Sequence, residues 1–422
     1  MMEAAPKLTR ENAPWLFEGA LPRLLAVLDT DGEEARAVGG AVRNSLLGLP
    51  VTEVDVATTA LPDVVVKRVA AAGMHAVPTG IEHGTVTVVV HEKPFEVTTL
   101  RQDVETDGRH AVVKFGREWR TDAERRDFTI NALFADRAGK VFDFIGGIAD
   151  IKARRVRFIG DPASRIVEDY LRILRFFRFH AGYGEGVPDA AGLAACIRAR
   201  DGLAQLSRER VRNELLKLLP AQHAAPTLAT MSESGILTDV LAGVPWLASF
   251  SNMAKAEAHF GLHADATRRL AALAVRVRED ADRLRERLRL TNEETRRLRT
   301  MSEGWWQIFP EMGPVARRAI LYRIGAENYR ERVLLAFSRA DEKVDDEGWS
   351  ELFRLPDEWK VPTCPFTAKL FLDRGVEKGP ALGSILARAE ESWINSGFPE
   401  EWEVLYTIRD WAIAEEEKSK PA

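Results

Sequence analysis

Residues 38–55 read Val-Gly-Gly-Ala-Val-Arg-Asn-Ser-Leu-Leu-Gly-Leu-Pro-Val-Thr-Glu-Val-Asp: a Gly-Gly pair, then two carboxylates one residue apart in an apolar stretch. On a strand side chains alternate faces, which sends Glu53 and Asp55 one way and Val54 and Val56 into the core. Paired carboxylates are hard-oxygen ligands that suit Mg²⁺, with Mn²⁺ as the other candidate. Gly39 and Gly40 let the backbone pass close to a phosphate, and a helix over 41–47 would aim its first amides at the same anion. The pattern is that of a metal-dependent nucleotidyl-transfer site, with metal and triphosphate in one cleft.

A hairpin of strands over 85–90 and 95–100 offers a third carboxylate, because Glu96 and Thr98 share one face while Phe95 and Val97 take the other. Beside the Glu53/Asp55 strand, Glu96 would complete a three-carboxylate metal site of the kind that in-line phosphoryl-type transfer uses. In 121–134, Thr121 and Glu124 fit a capping box that starts a helix, placing Asp127 and Asn131 on one face with Arg125 and Arg126 beside them. That face suits a ribose and its phosphates.

A third helix is predicted from Asp161-Pro162 onward, with Ile166, Tyr170, Ile173, Leu174 and Phe177 as its buried stripe and Glu168, Asp169, Arg172 and Arg175 on its other side. Glu168 holds Arg172 in the favoured i,i+4 order. Asp169 then accepts from an exocyclic amine while Arg172 donates to the neighbouring ring acceptor. Cytosine and adenine present that amine-plus-acceptor edge; guanine and uracil present the opposite polarity.

The elements that must position these groups change character along the chain. Residues 15–150 alternate short strand and helix signals, and from 151 onward helical periodicity dominates. At 422 residues, 45% hydrophobic and 29% charged, the chain is expected to be globular with several domains. No apolar run is long enough for a membrane span, and the expected address is the cytoplasm. Cys196 and Cys364 have no metal-type spacing. A net charge of −5 argues against indiscriminate nucleic-acid coating, yet 152–178 holds eight Lys/Arg against three Asp/Glu and is a candidate phosphate-binding face. The Arg-rich run 268–299 is interleaved with acids and reads as a solvated helix surface with internal ion pairs. Trp305-Trp306 and Trp393 read as packing residues, and Gly379-Pro380 as a turn before a helix over 384–392.

Taken together, the motifs resemble class II tRNA nucleotidyltransferases, the family of CCA-adding enzymes and bacterial poly(A) polymerases. The resemblance rests on Val-Gly-Gly-Ala-Val-Arg-Asn at 38–44, Glu-Val-Asp at 53–55, Arg-Arg-Asp-Phe-Thr-Ile-Asn-Ala at 125–132 and Glu-Asp-Tyr-Leu-Arg at 168–172, in family order. Also similar are Gly-Ile-Glu-His-Gly-Thr-Val at 80–86, Asp-Val-Glu-Thr-Asp-Gly-Arg at 103–109 and Ser-Arg-Glu-Arg-Val-Arg-Asn-Glu-Leu at 207–215. It implies an α+β fold: a nucleotidyltransferase, DNA polymerase β-like head with a small mixed sheet at 15–150, an all-α neck at 151–225, and an all-α body and tail at 226–422. It further implies that Glu53, Asp55 and Glu96 bind the catalytic metal. Gly39, Gly40, Arg43, Arg109, Arg126, Asp127, Asn131, Glu168, Asp169, Arg172 and Arg175 would bind the nucleotide, with 101–120 a flexible loop that helps switch from CTP to ATP. The implied reaction is attack of a tRNA 3′-hydroxyl on the α-phosphate of CTP, twice, and then of ATP, without a template. The helical body would grip the acceptor and TΨC arms by shape; no obligate protein partner is implied.

Two positions depart from the family, which usually has Asp where this chain has Glu53 and Asn44. Glutamate keeps the charge and adds a methylene, so activity is expected to persist; Asn44 is expected to loosen Arg43. The alternatives are A-only or C-only addition, poly(A) synthesis, and an RNA-binding protein without catalysis. Residues 71–80, Ala-Ala-Gly-Met-His-Ala-Val-Pro-Thr-Gly, lack the basic segment typical of the poly(A) branch.

Overall fold

The computed structural model describes residues 6–107, 110–340 and 346–418, and the chain forms two compact units, Met1–Val240 and Leu241–Ala422. Among its described residues the first holds nine strands: β1 (Ala35–Val38), β2 (Asp55–Thr58), β3 (His75–Gly80), β4 (Thr85–Val90), β5 (Lys93–Thr99), β6 (Arg101–Asp107), β7 (His110–Phe115), β8 (Leu133–Ala135) and β9 (Val141–Asp143). Seven form one mixed sheet in the order β3-β4-β5-β2-β1-β8-β9; β6 and β7 pair as a separate antiparallel ribbon. The stretch expected as a flexible loop, 101–120, therefore holds that ribbon and the start of the Trp119–Glu124 helix.

The β4–β5 hairpin follows its alternating pattern, with Phe95 and Val97 buried and Glu96 exposed. Its turn residues, His91 and Glu92, both take positive φ (48° and 66°), the sense that matches the twist of paired strands. Central β1 is buried throughout, as a strand flanked by β2 and β8 must be. β2 and β5 run parallel, and Asp55 lies opposite Glu96 in their register. Strand β2 begins at Asp55, so Glu53 lies outside it and Val54 is only half-buried, contrary to the expectation of a shared strand face. The ladder to β1 ends at the Val38–Asp55 pair, which leaves the chain before Asp55 free to turn away.

Two expected helices are interrupted. The helix near 121 instead runs Trp119–Glu124 from an N-cap at Glu118, and a short 3₁₀ turn follows at Thr129–Asn131, so Asp127 and Asn131 do not share a helix face. Asp161 does cap a helix, its Oδ2 accepting from the Ser164 N–H at 2.8 Å. That helix, Pro162–Glu168, stops where Asp169 adopts extended backbone (φ −157°, ψ 106°), and a second one, Leu171–Tyr183, starts beyond it. Tyr170, half-buried at the break, lies against Gly202, where a Cβ would fall 2.0 Å from the ring. Ile166, Ile173, Leu174 and Phe177 are buried as the stripe predicts. Phe128 joins this region to the head through ring contacts with Phe158 (4.8 Å) and Phe179 (5.3 Å).

The second unit is helical. One core gathers Tyr329, Val333, Trp349 and Leu352, another Phe371, Ile385, Trp393 and Leu405. Trp393 is a core residue, and the helix before it extends over Pro380–Asn395. Trp305 and Trp306 occupy a 3₁₀ turn rather than a packed helix, with Trp306 exposed. Among the described residues no helix is long and apolar enough to cross a membrane.

Candidate active site

Asp55 has Val38 as its neighbour on one side of the sheet and Glu96 on the other. Val38 leads into Gly39, whose φ of +74° only glycine adopts without strain, and the Gly40–Leu46 helix begins there. The turn and the two carboxylates thus share one end of the sheet. The two carboxylates border a cleft of about 650 Å³ whose walls include Trp15, Glu18, Glu53, Asp55, Lys93 and Glu96. Among the described residues neither Asp55 nor Glu96 has a side-chain hydrogen bond or ion pair. Burial in the cleft wall, together with the charges of Glu96 and Glu53, pushes the Asp55 carboxyl above its usual range, only partly offset by Arg126.

Whether these residues fit a divalent ion turns on their donors. All are carboxylate oxygens, neither Asp55 nor Glu96 is ion-paired among the described residues, and Asp55 gains from any cation that relieves the repulsion Arg126 only partly offsets. No preassembled group of three acidic, His or Cys ligands occurs among the described residues. Two strand carboxylates fit Mg²⁺, which takes one or two from the protein and fills its shell with water and substrate phosphates.

The residues expected on the nucleotide side are pinned by one another. Asp127 Oδ2 accepts from Arg175 Nε (2.8 Å) and Nη2 (2.5 Å), and its Oδ1 accepts from the Phe128 N–H (2.9 Å) and Asn131 Nδ2 (3.1 Å). Burial alone would raise this carboxyl; Arg175, Asn131 and the backbone donor hold it below the ordinary value. So Asp127 and Asn131 do meet, through a turn rather than a helix face. Arg126 donates to Asp122 Oδ2 at 3.0 Å and approaches Gly39, where a Cβ would sit 3.8 Å from its Nη1.

Arg43, expected at the triphosphate, is turned inward. It donates to Asn131 Oδ1, to Asn44 Oδ1 (2.8 Å) and to the Tyr183 hydroxyl (2.7 Å), with its guanidinium 3.8 Å from the Tyr183 ring centroid. Asn44 also donates to the Pro50 carbonyl at 2.8 Å, so it fixes Arg43 rather than loosening it. A neutral amide suffices there because Arg43 is buried and shared among three acceptors.

At the helix break Arg172 pairs with Glu168, as the i,i+4 spacing predicts, and also donates to the Arg165 carbonyl (2.5 Å). Asp169 is held separately: its Oδ2 accepts from Arg210 Nη2 at 2.6 Å. Arg210 and Glu214, which accepts from Arg178 at 2.5 Å, are positioning residues that pattern reasoning passed over. Both lie in the 207–215 motif, and that motif was the available signal. Arg165 is a third, donating to Glu168 (2.5 Å) and to the Arg126 carbonyl (2.8 Å). Arg109 lies outside the described residues.

Comparison with known proteins bears on the fold and the family. Residues 35–157 match the Poly A polymerase head domain family, and 189–248 match the family described as probable RNA and SrmB- binding site of polymerase A. The chain is 34% identical over 400 residues to CCA tRNA nucleotidyltransferase 1, mitochondrial, of Mus musculus, covering 93% of this chain and 90% of that protein. It is 40% identical over 229 residues to the CCA-adding enzyme of Levilactobacillus brevis, covering 54% and 56%. The crystal structure of the Bacillus stearothermophilus CCA-adding enzyme in complex with CTP superposes with a TM-score of 0.74 at 25% identity, covering 94% of this chain and 98% of that one.

Proposed function

The chain belongs to the CCA tRNA nucleotidyltransferase family, and from that premise we propose that its Asp55–Glu96 cleft adds two CMP and one AMP to the 3′ end of tRNA without a template. The observation that carries the reading is the pair of uncompensated carboxylates at the sheet end where Gly39 turns the chain. In the reaction the RNA 3′-hydroxyl oxygen bonds to the nucleotide α-phosphorus. The bond from that phosphorus to the α,β-bridging oxygen breaks, and pyrophosphate leaves with the electron pair; the hydroxyl proton passes to solvent. Asp55 and Glu96, with Glu53 reaching in from its loop, would hold Mg²⁺ or Mn²⁺, which supplies charge neutralisation to the attacking and leaving oxygens.

The protein's own groups orient the reactants. Arg126, held by Asp122 beside Gly39, faces the phosphates. Asp127 has both oxygens occupied within the protein, so it positions Arg175 and Asn131 rather than gripping the ribose directly. Asp169 and Arg172 read the amine-plus-acceptor edge shared by cytosine and adenine, each buttressed in advance by Arg210 and Glu168. The head (15–150), neck (151–225) and body with tail (226–422) divide the work into chemistry, base reading and grip on the acceptor and TΨC arms. Two unpaired cysteines, Cys196 and Cys364, support a cytoplasmic address.

The test uses Mg²⁺ and tRNA transcripts that lack the three terminal nucleotides, lack only the last, or are complete. CTP and ATP are given separately and together, and products are resolved at single-nucleotide length. Two C and one A followed by a stop is the expected result. Long A tails or A-only extension would reassign the activity, and binding without extension would make the chain a non-catalytic RNA-binding protein.

A further inference from the structure

In the second unit the helices Arg278–Leu288 and Asn292–Ser302 pack as neighbours joined by a three-residue link. Arg278 and Arg285, seven apart, fall on one face of the first; Asn292, Arg296 and Arg299 fall on one face of the second. These faces line a hollow of about 260 Å³, together with Thr295, Thr300 and Glu303. Four arginines against one glutamate make it cationic, and hydroxyl and amide groups border it.

Most arginines of this region are spoken for. Arg268 and Arg297 share Glu331, Arg269 pairs with Glu257, Arg283 with Asp280, Arg299 with Asp282, and Arg278 with Glu303. The side chains of Arg285 and Arg296 differ: both are exposed, both border the hollow, and neither has an ion pair or hydrogen bond among the described residues. The 268–299 run is therefore largely an ion-paired surface, as its sequence predicts, and at this hollow two guanidinia are left available.

We propose that this hollow binds a backbone phosphate of the RNA substrate, with Arg285 and Arg296 as the clamping cations. The site lies outside the catalytic cleft, and the proposal rests on the reading of the chain as a tRNA nucleotidyltransferase. Guanidinium forks match phosphate oxygens in geometry. A chain of net charge −5 also needs local cationic sites to hold a polyanion. The hollow carries no apolar side chain that would insert into a lipid surface.

The experiment measures tRNA affinity of the full chain across a series of salt concentrations, alongside the KM for CTP and ATP. The variants are R285A/R296A, the charge-keeping R285K/R296K, and R289N, which removes an exposed arginine outside the hollow at a left-handed position that asparagine tolerates. R285A/R296A is expected to weaken tRNA binding several-fold and to lower the slope of log affinity against log salt by about 1. R285K/R296K should retain most of the slope, and R289N and the nucleotide KM values should not move. An unchanged slope in R285A/R296A, or an equal change in R289N, would overturn the proposal. Raised CTP and ATP KM with intact tRNA affinity would also overturn it, by assigning the phosphate to free nucleotide. Failure of the unaltered chain to bind tRNA would be a different result, removing the functional reading and this site together.

Discussion

Two groups of carboxylates in the first unit are treated in opposite ways. Asp55 and Glu96 face each other across parallel strands with no hydrogen-bonded cation, and the Asp55 carboxyl is pushed up by burial and by its acidic neighbours. Asp127, Glu168 and Asp169 each have an arginine, and Asp127 is held low despite its burial. Uncompensated carboxylates are poised for a cation that arrives with substrate. Compensated ones are fixed in place and serve as shape. On the proposed reading, the same fold thus separates the group that does chemistry from the group that selects the nucleotide.

Substitutions on either side of this contrast sharpen it, and the largest effect is expected at the uncompensated pair. Asp55→Ala should lower nucleotide incorporation by at least about 10²–10³-fold, the scale for deleting one preorganised charge-stabilising group, while tRNA binding measured by filter retention stays intact. Next comes Asp127→Asn, which leaves Arg175 without its main partner. Because the Arg175 side chain is 31% exposed, the loss is put at up to about 3 kcal/mol, the low end for breaking a buried pair, read from urea unfolding.

The same pair fixes a pH dependence. A carboxyl held below its unfolded value adds stability that is complete above the ordinary Asp range and is lost as pH falls through its folded pKa. The stability gap between the parent and Asp127→Asn should accordingly be constant from neutral pH down to about 4 and close only below that. A gap that closed already near neutrality would break the assignment.

Smaller still is the effect at the buttress. Arg210→Ala frees Asp169, and we expect about tenfold poorer discrimination of CTP and ATP against UTP and GTP, with overall stability little altered. Competition assays with all four nucleotides measure it, and unchanged discrimination would leave Arg210 a purely structural partner. The smallest change carries the most telling sign. Asp55→Asn without metal should stabilise the protein slightly, by about 0.5 kcal/mol after solvent screening, because it relieves repulsion; a loss of stability in thermal unfolding would count against an uncompensated pair.

Much of this arrangement was legible in the chain. Val/Thr alternation and the Phe95-Glu96-Val97 triplet defined the hairpin and aimed Glu96 correctly. What could not be read was where periodicity stops mattering. Ile166, Ile173, Leu174 and Phe177 keep a helical stripe across 161–177, yet tertiary packing of Tyr170 on Gly202 accompanies a break at Asp169 that leaves the stripe buried. Glu53 was misplaced for the converse reason: the apolar alternation runs on past the last β1–β2 pair, and hydrogen bonding does not. Arg210 stood in a recognised motif, but its carboxylate lies 41 residues away in sequence, a distance over which no local pattern speaks. Asn44 looked like a lost charge until its two arginine contacts placed it in a buried network.

The central claim is that Asp55 and Glu96 form the cation seat through which the nucleotide is held. Calorimetric titration of CTP into the parent, Asp55→Asn and Glu96→Gln, each with and without Mg²⁺, tests it most directly. The account predicts that Mg²⁺ tightens CTP binding in the parent and has little effect in either variant. Equal tightening by Mg²⁺ in all three proteins would contradict it.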